Sequence, residues 1–315
     1  MRIVFMGTPQ FAVPCLRFLI ESPHEVIALV CQPDKKIGRK QILTSPPTKI
    51  FASEHSIQVL QPASAKDPTF LEQISELAPD LLVTCAYGKI LPESILKVPL
   101  KGCINVHASL LPKLRGAAPV QWAIINGDKE TGITTMLTDA GMDTGAMLLS
   151  EKIDISETMT SEELHDQLMM LGPVVLQSTL KELELNQLNP IPQNNELATY
   201  APILKKEDGL ICWAKSAKEI GFFVRGMNPW PGAFSYLNSK VLKICKAEVF
   251  ERNSEYNMFS PGEVIEISKD GIKVACGEGV LNLIEVQPAS GIRMSVSSYI
   301  NGNHVSIGDQ FLNSI

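Results

Sequence analysis

The stretch CINVH, residues 103–107, places two polar side chains within an apolar run that is typical of a β-strand. Residues two apart in a strand point to the same face, so Asn105 and His107 share one face of it. One interpretation is structural, a hydrogen-bonded polar pair at the end of a strand. The other is functional, because an amide N–H and an imidazole can together stabilise an oxyanion and move a proton, as acyl transfer through a tetrahedral intermediate requires.

The segment DAGMDTGAML, residues 139–148, could supply a carboxylate to the same site. It follows a predicted strand, and its two glycines make the backbone flexible. Its Asp and Gly content is also typical of an ordinary turn. A carboxylate beside His107 would favour the protonated imidazolium. Residue types and spacing leave two candidates for that carboxylate, Asp139 and Asp143.

Between these two segments lies the loop SLLPKLRGAAP, residues 109–119. Pro112 restricts the backbone of Leu111, which disfavours a helix at the start of this loop. A loop of this kind has free backbone groups that could hydrogen-bond a flat heterocycle while Leu110 and Leu111 pack on its face. The alternative is a structural crossover loop with Arg115 on the surface.

The segment QPDKKIGRKQILTSPPTK, residues 32–49, is cationic, although the half of the chain that contains it is acidic. It follows the second predicted strand, at the edge where doubly wound sheets bind ligands, and Gly38 and two prolines favour a mobile loop. The segment could be a solvated surface loop, but its position favours contact with a phosphate backbone. Against one acid, Asp34, it carries Lys35, Lys36, Arg39, Lys40 and Lys49.

Patterns that bind nucleotides or metals are missing from the sequence. The turn after the first strand, GTPQFA, has only the first glycine of a dinucleotide fingerprint, and Pro9 removes an N–H that a pyrophosphate would need. There is no P-loop lysine motif and no HExxH, and the five histidines do not cluster. We therefore expect neither a nicotinamide cofactor nor a metal.

The composition is that of a globular protein with two domains. The chain has 315 residues, of which 45% are hydrophobic, enough for two cores. The seven cysteines form no CxxC pair, which fits a reducing compartment, and no membrane span or signal peptide is evident. We therefore expect a cytoplasmic protein. The net charge of −6 by itself argues against a nucleic-acid partner. Residues 209–315 carry ten basic and ten acidic residues, so the excess of acidic residues lies wholly in residues 1–208.

The first half of the sequence alternates short apolar runs with amphipathic helical segments. Strands are predicted at 2–6, 24–31, 57–60, 80–87, 103–107 and 132–139, and helices at 11–20, 47–55, 70–77 and 118–127. Such alternation predicts an α/β fold, a doubly wound, Rossmann-like, mostly parallel sheet. Ligands bind such sheets at the carboxyl ends of the strands. A capping box at Thr160 and Glu163 predicts a further helix to about Glu184.

The second half of the sequence differs from the first in composition and in its pattern of apolar runs. Residues rich in Asn, Gln and Pro precede short strands, and the sequence SKDG at 268–271 is a hairpin signal. A smaller C-terminal antiparallel β-barrel, OB-like, is expected there. We therefore divide the chain into a catalytic domain at 1–188, a linker at 189–208 and the barrel at 209–315.

Taken together, these motifs resemble the folate-dependent formyltransferases. GCINVHASLLPKLRGAAPVQWAI and DAGMDTGAML carry motifs that several members of this family share. The opening VFMGTPQFAVPCL, the loop QPDKKIGRK, CAYGKILP at 85–92 and NPWPGAF at 228–234 are similar to the branch that acts on aminoacylated tRNA. The similarity extends over nearly the whole chain.

The resemblance implies a role for each motif. The catalytic residues would be Asn105, His107 and Asp143. The folate-binding residues would be Ser109, Leu110, Leu111 and Pro112, with backbone of the CAYGKI loop lining the pterin pocket. The tRNA-binding residues would be Arg39, Lys36 and Lys40, and the C-terminal barrel would also hold tRNA.

The implied reaction is transfer of the formyl group of 10-formyltetrahydrofolate to the amino group of methionine on initiator tRNA, for translation initiation. One alternative is a formyltransferase of the same superfamily that acts on a small amine, glycinamide ribonucleotide or an amino sugar. The second domain and the basic loop argue against it. Another is a non-catalytic RNA-binding protein, which the intact set of Asn105, His107 and Asp143 argues against. No apolar seam indicates an obligate protein partner.

Overall fold

The computed structural model describes residues 1–38, 40–250 and 259–312. Within it the chain forms two compact units. The first comprises Met1–Pro119, Glu130–Asp154 and His165–Pro202, and the second comprises Val120–Lys129, Ile155–Leu164 and the chain from Ile203 onward.

Up to residue 202, the chain alternates strands and helices. The strands are β1 (Arg2–Gly7), β2 (Glu25–Val30), β3 (Lys35–Ile37), β4 (Ile42–Thr44), β5 (Val59–Leu60), β6 (Leu81–Cys85), β7 (Cys103–His107), β8 (Arg115–Gly116), β9 (Glu130–Leu137), β10 (Met147–Asp154) and β11 (Tyr200–Ala201). The helices are α1 (Val13–Glu21), α2 (Pro47–Glu54), α3 (Pro68–Leu77), α4 (Glu93–Leu96), α5 (Pro119–Ile125) and α6 (Ser161–Glu184). The sequence did not predict five of these strands: β3, β4, β8, β10 and β11.

The main sheet of the first unit has the strand order β10-β9-β7-β6-β1-β2-β5. Strands β5, β2, β1, β6 and β7 run parallel, whereas β9 is antiparallel to β7 and β10 is antiparallel to β9. The prediction of a doubly wound, mostly parallel sheet is therefore confirmed, with an antiparallel pair at one edge.

The central strands are apolar on both faces because helices cover both sides of such a sheet. The side chains of Ile3–Met6 in β1 and Leu81–Val83 in β6 are fully buried. On one side, Val4, Met6 and Leu82 join a cluster that includes Phe70 and Ile74 of α3. This packing fixes the central strands and, through them, the ends at which the loops begin.

The loops that leave β1, β2 and β6 are bonded to one another at the carboxyl edge of the sheet. The hydroxyl of Thr8 donates to the carbonyl of Tyr87 over 3.2 Å and accepts from the amide of Gln32 over 3.2 Å. The side-chain amide of Gln32 also donates to Tyr87 O, at 3.1 Å. Since the strand order reverses between β1 and β6, this edge is the switch point where such folds bind ligands.

Helix α6 begins with the predicted capping box. The amide of Thr160 donates to Oε2 of Glu163 over 2.8 Å, and the amide of Glu163 donates to the Thr160 hydroxyl over 3.3 Å. These two bonds satisfy N–H groups that a helix start otherwise leaves without a partner.

The second unit is built on an antiparallel sheet with the order β14-β15-β16-β13-β12-β18, to which β17 adds at β16. Its elements are α7 (Ala217–Gly226), β12 (Phe234–Leu237), β13 (Lys240–Phe250), β14 (Val264–Ser268), β15 (Gly271–Ala275), β16 (Val280–Pro288), β17 (Met294–Ser295), α8 (Val296–Gly302) and β18 (Phe311–Leu312). Ser268 pairs with Gly271, so the predicted hairpin is confirmed.

The antiparallel sheet curls back on itself. The amide of Phe311 in β18 donates over 2.8 Å to the carbonyl of Gly262, which lies just before β14. An antiparallel β-bridge also joins Glu263 to Gln310. Inside, Trp213 packs on Phe311 with ring centroids 5.2 Å apart, and its indole N–H donates to Ser235 over 3.0 Å. The predicted C-terminal antiparallel barrel is confirmed in this form.

In the parts of the chain that the structure describes, none of the helices is both long and apolar enough to cross a membrane.

Candidate active site

Strand β7 lies between the parallel strand β6 and the antiparallel strand β9, and it presents the polar pair at its carboxyl end. Asn105 is paired with Thr84 on one side and with Met136 on the other. Because neighbours on both sides fix the strand, the alternation of side chains is fixed as well. Asn105 and His107 therefore lie on the same face, as their spacing predicted.

The side-chain amide of Asn105 is oriented by a neighbouring hydroxyl. Thr84 donates from Oγ1 to Oδ1 of Asn105 over 2.8 Å. This leaves Nδ2 on the other side, 3.5 Å from Oδ1 of Asp143. The amide thus presents its N–H donors toward the carboxylate, which is the polarity that an oxyanion site needs.

The imidazole of His107 is nearly buried, with 6% of the side chain exposed. Its Nε2 lies 3.0 Å from the carbonyl of Leu114. A carbonyl can only accept, so Nε2 carries a proton in both the neutral and the charged ring. The second nitrogen, Nδ1, lies 3.7 Å from Oδ2 of Asp143 and is the ring nitrogen that faces the carboxylate.

Asp143 is the acid that the structure brings to His107 and Asn105. Its Oδ2 accepts a hydrogen bond of 2.9 Å from the amide of Gly116. Asp139 has a different position, since its Oδ1 accepts from the amide of Gly141 over 3.0 Å and from the hydroxyl of Thr144 over 2.7 Å. Asp143 therefore faces the imidazole, whereas Asp139 forms hydrogen bonds within the turn that carries Asp143.

The turn that carries Asp143 is tightly constrained. Asp143 has a φ angle of +54°, in the left-handed region that few residues other than glycine adopt. At Gly145, a Cβ atom would lie 1.7 Å from the carbonyl oxygen of Leu137, which no side chain could tolerate. The backbone of the turn therefore approaches the end of β9 so closely that only glycine fits there.

The interpretation of residues 109–119 as a structural crossover loop placed Arg115 on the surface. The residue is instead buried, with 2% of it exposed. Its Nε donates to Oε1 of Gln193 over 2.9 Å, and its terminal nitrogen donates to Oδ1 of Asn195, also over 2.9 Å. Gln193 in turn donates to the carbonyl of Asp143 over 2.9 Å. Gln193 and Asn195 fall in the stretch predicted as a linker, and nothing in their local sequence distinguishes them from linker residues.

The predicted folate loop begins directly after His107. Ser109 is fully buried and donates to the carbonyl of Lys113, whereas Leu111 is nearly buried and donates its amide to the hydroxyl of Thr134 over 3.2 Å. Leu110 and Pro112 are partly exposed, and the peptide bond between Leu111 and Pro112 is cis. Of the two leucines, Leu110 has the larger surface available to a ligand.

The basic segment forms a two-stranded antiparallel hairpin in which Lys36 pairs with Leu43. Lys36 and Lys40 are exposed, and Arg39 lies outside the described residues. Lys49, at the base, donates to Asp34 at 2.8 and 2.9 Å and to Oε1 of Gln61 at 2.8 Å. Its ammonium group is therefore engaged in hydrogen bonds at the base of the hairpin.

Burial disfavours the charged forms of two titratable groups in or next to the parallel sheet. Burial raises the pKa of the Cys103 thiol to about 11, against hydrogen bonds from Thr138 and Thr84 that lower it. It raises the pKa of the Tyr87 phenol to about 12, with a smaller contribution from Cys31. Among the described residues, no group of three or more histidine, cysteine or acidic side chains could hold a metal ion.

Both halves of the chain match known protein families. Residues 1–180 match the family described as formyl transferase, and residues 203–304 match the formyl transferase C-terminal domain. A protein named methionyl-tRNA formyltransferase from Acetivibrio thermocellus is 54% identical over 309 residues, which cover 98% of this chain and 99% of the relative.

Solved structures have the same fold at low sequence identity. An N-formyltransferase from Helicobacter canadensis, in complex with folinic acid and dTDP-3-aminofucose, has a TM-score of 0.69 at 19% identity, covering 90% of this chain and 99% of that one. HypX from Aquifex aeolicus, in complex with tetrahydrofolic acid, has a TM-score of 0.60 at 16% identity; the match covers 98% of this chain but 50% of HypX. With two family matches and a close full-length relative, the chain belongs to the formyl transferase family.

Proposed function

We propose that this chain transfers the formyl group of 10-formyltetrahydrofolate to the amino group of methionine esterified to initiator tRNA, for translation initiation. The observation that carries the proposal is the convergence of Asn105, His107 and Asp143 at the carboxyl end of β7. The near-identical length and 54% identity of the Acetivibrio relative support the tRNA-linked substrate. The folate ligands of the two solved structures support the formyl donor.

In this mechanism the neutral amine attacks the formyl carbon, an N–C bond forms, and the π electrons of the carbonyl move onto its oxygen. An α-amino group has a pKa of about 7.7–8.0, so a useful fraction is neutral near physiological pH. The donors to the developing oxyanion are Nδ2 of Asn105 and the protonated Nδ1 of His107. Both are preorganised, one by the Thr84 hydroxyl and the other by the Leu114 carbonyl, so they need little reorganisation during the reaction.

Proton transfer completes the exchange. The attacking nitrogen must lose a proton, and N10 of the leaving folate must gain one when the C–N10 bond breaks. The carboxylate of Asp143 accepts the proton from the attacking nitrogen and then delivers it to N10 of the leaving folate, so the carboxylate is restored when the exchange is complete. A formyl group and a proton thus change places between two nitrogens, and no redox step is involved.

The remaining assignments belong to the same proposal. Ser109, Leu110, Leu111 and Pro112 would form one wall of the folate site, and Lys36 and Lys40, with Arg39, would contact the phosphates of tRNA. Residues 1–188 would be the catalytic domain, 189–208 a connecting segment and 209–315 a tRNA-binding domain. Because the chain has the composition of a protein of a reducing compartment, we place the reaction in the cytoplasm.

The test is a formylation assay of the purified full chain with 10-formyltetrahydrofolate and three acceptors. These are methionyl initiator tRNA, glycinamide ribonucleotide and a nucleotide-linked amino sugar. We expect rapid formylation of the aminoacylated tRNA alone. Preferential formylation of either small amine would replace the proposed acceptor, and the absence of transfer to all three would overturn the enzymatic assignment.

A further inference from the structure

We propose that the segment 191–201, here named the strap, positions both His107 and Asp143 for catalysis through two of its side chains, Gln193 and Thr199. This inference rests on the proposed function and extends it. The strap lies in the stretch whose composition predicts a linker, yet its polar side chains hold Asp143 directly and His107 through Leu114.

The strap is bonded to the first unit at both of its ends. Ile191 and Met147 exchange two backbone hydrogen bonds, of 2.8 and 2.9 Å. At the other end, β11 pairs in parallel with β8, and the amide of Arg115 donates to the carbonyl of Thr199 over 2.9 Å. The strap therefore has a defined register against the strands that flank the site.

Gln193 holds the turn that carries Asp143. Its Nε2 donates to the carbonyls of Asp143 and Gly145, at 2.9 and 2.8 Å. Its Oε1 accepts from Nε and the terminal nitrogen of Arg115, at 2.9 and 2.7 Å. Because a guanidinium can only donate, it fixes which end of the glutamine amide faces the turn.

The arginine that orients Gln193 is itself unusual. Arg115 is buried, and none of the carboxylates in the described ranges forms an ion pair with it. Within the part of the chain that the structure describes, its guanidinium donates to the side-chain amide oxygens of Gln193 and Asn195. A buried cation needs such acceptors, and keeping it in the interior without an ion pair costs free energy. That cost indicates that the Arg115 guanidinium has a further role. We infer that it serves to aim the Gln193 amide at a residue, Asp143, whose φ angle of +54° needs external support.

Thr199 supports the other partner. Its hydroxyl accepts a hydrogen bond of 2.9 Å from the amide of Leu114, which has a φ angle of +58°. The carbonyl of Leu114 accepts from Nε2 of His107. The strap therefore controls the position of the carbonyl that keeps the proton on Nε2 and leaves Nδ1 free to face Asp143.

Neither Gln193 nor Thr199 contacts the reacting atoms in this arrangement, so both are positioning residues. We expect Gln193→Ala to lower kcat by about 10- to 100-fold, because a misplacement of about 1 Å at a reacting group can cost about 100-fold. The KM for 10-formyltetrahydrofolate should change less than threefold. Glu196→Ala is the matched control, since Glu196 is exposed in the same strap and its side chain forms no hydrogen bond or ion pair within the described residues.

Gln193→Glu tests the hydrogen bonds from residue 193 to the turn separately from its contact with Arg115. Glutamate keeps oxygens for Arg115 and gains an ion pair with it, but it has no N–H to donate to the turn. We expect this variant to fold with an undiminished Tm and yet to lose as much kcat as Gln193→Ala. If both Gln193 variants keep kcat within twofold of the wild type, the inference is wrong.

Thr199→Val tests the second contact with a readout that a purely structural role would not move. In the wild type, the imidazole ¹⁵N spectrum should show a protonated Nε2 of His107 across the whole titration. We expect Thr199→Val to populate the other tautomer and to lower kcat. An unchanged tautomer with unchanged kcat would contradict the role of Thr199. An inactive wild-type enzyme would instead overturn the proposed function, so the two failures are distinguishable.

Discussion

Nδ1 of His107 lies 3.7 Å from Oδ2 of Asp143, and different parts of the chain supply the two atoms. His107 ends the central strand β7, whereas Asp143 sits in the turn between β9 and β10. Strand β9 is antiparallel to β7 and ends at Leu137, which pairs with Ile104 near the start of β7. The pair forms because the following turn folds back over the face of β7 that carries Asn105 and His107.

Replacing Asp143 with Asn should lower kcat by at least about 100-fold, because an amide cannot take the proton of the attacking amine. The circular dichroism spectrum and the Kd for folate should change little. Asp139→Asn is the matched control, since Asp139 organises the same turn without facing the imidazole, and its loss should be under tenfold. Equal losses in the two variants would show that the turn matters but the carboxylate at 143 does not.

Asn105→Ala should lower kcat by about 10²–10³-fold, equivalent to about 2.7–4 kcal/mol, because one donor to the oxyanion is removed. Single-turnover kinetics at saturating tRNA would measure this loss. Thr84→Val should have a smaller effect of the same kind, since it removes the hydroxyl that orients the amide. A rise in KM with unchanged kcat would assign Asn105 to substrate binding instead.

Lys36→Ala combined with Lys40→Ala should weaken the binding of methionyl-tRNA and leave folate binding unchanged. Each phosphate contact that is lost should reduce the slope of log K against log salt by about 0.7–0.9. Filter binding across a range of salt concentrations would measure the slope. Lys101→Ala, another exposed lysine, is the control. A salt dependence equal to that of wild type would exclude the hairpin as a phosphate contact.

Asp34→Asn should make stability less dependent on pH at the acidic end. Lys49 first, and then Gln61, hold the pKa of the Asp34 carboxyl below its ordinary value of 3.8. A lowered pKa in the folded state adds stability above the unfolded pKa, and this stability is lost as the pH falls through the folded value. The free energy of unfolding should therefore differ between wild type and variant at pH 7, and the difference should shrink below about pH 4. A constant difference would show that the carboxylate charge is irrelevant.

Gly145→Ala should lower activity more strongly than its small size suggests. A Cβ atom at this position would lie 1.7 Å from the carbonyl of Leu137, so the turn must move and take Asp143 with it. Overpacking of this kind typically costs about 1–3 kcal/mol of stability. We expect a lower Tm and a fall in kcat of about 10-fold or more. Wild-type kcat in Gly145→Ala would mean that the position of Asp143 tolerates movement.

Much of the architecture could be predicted from local patterns. The apolar runs of β1, β6 and β7 predict buried parallel strands, and the capping box at Thr160 and Glu163 predicts the start of α6. The hairpin at 268–271 follows from its turn residues. Period, caps and turns are properties of a few consecutive residues, so a sequence can encode them without long-range information.

The sequence by itself determined the shared face of Asn105 and His107, because a strand alternates with a period of two whatever surrounds it. Residue types and spacing did not determine which acid meets the imidazole, since Asp139 and Asp143 have the same local chemistry; the family resemblance implied Asp143. The tertiary structure decided that through long-range contacts: Gly116 donates to Asp143, and Gln193 holds its carbonyl. It also made a predicted linker into part of the site, because hydrogen bonds between residues far apart in sequence depend on how the strands pack rather than on any local pattern.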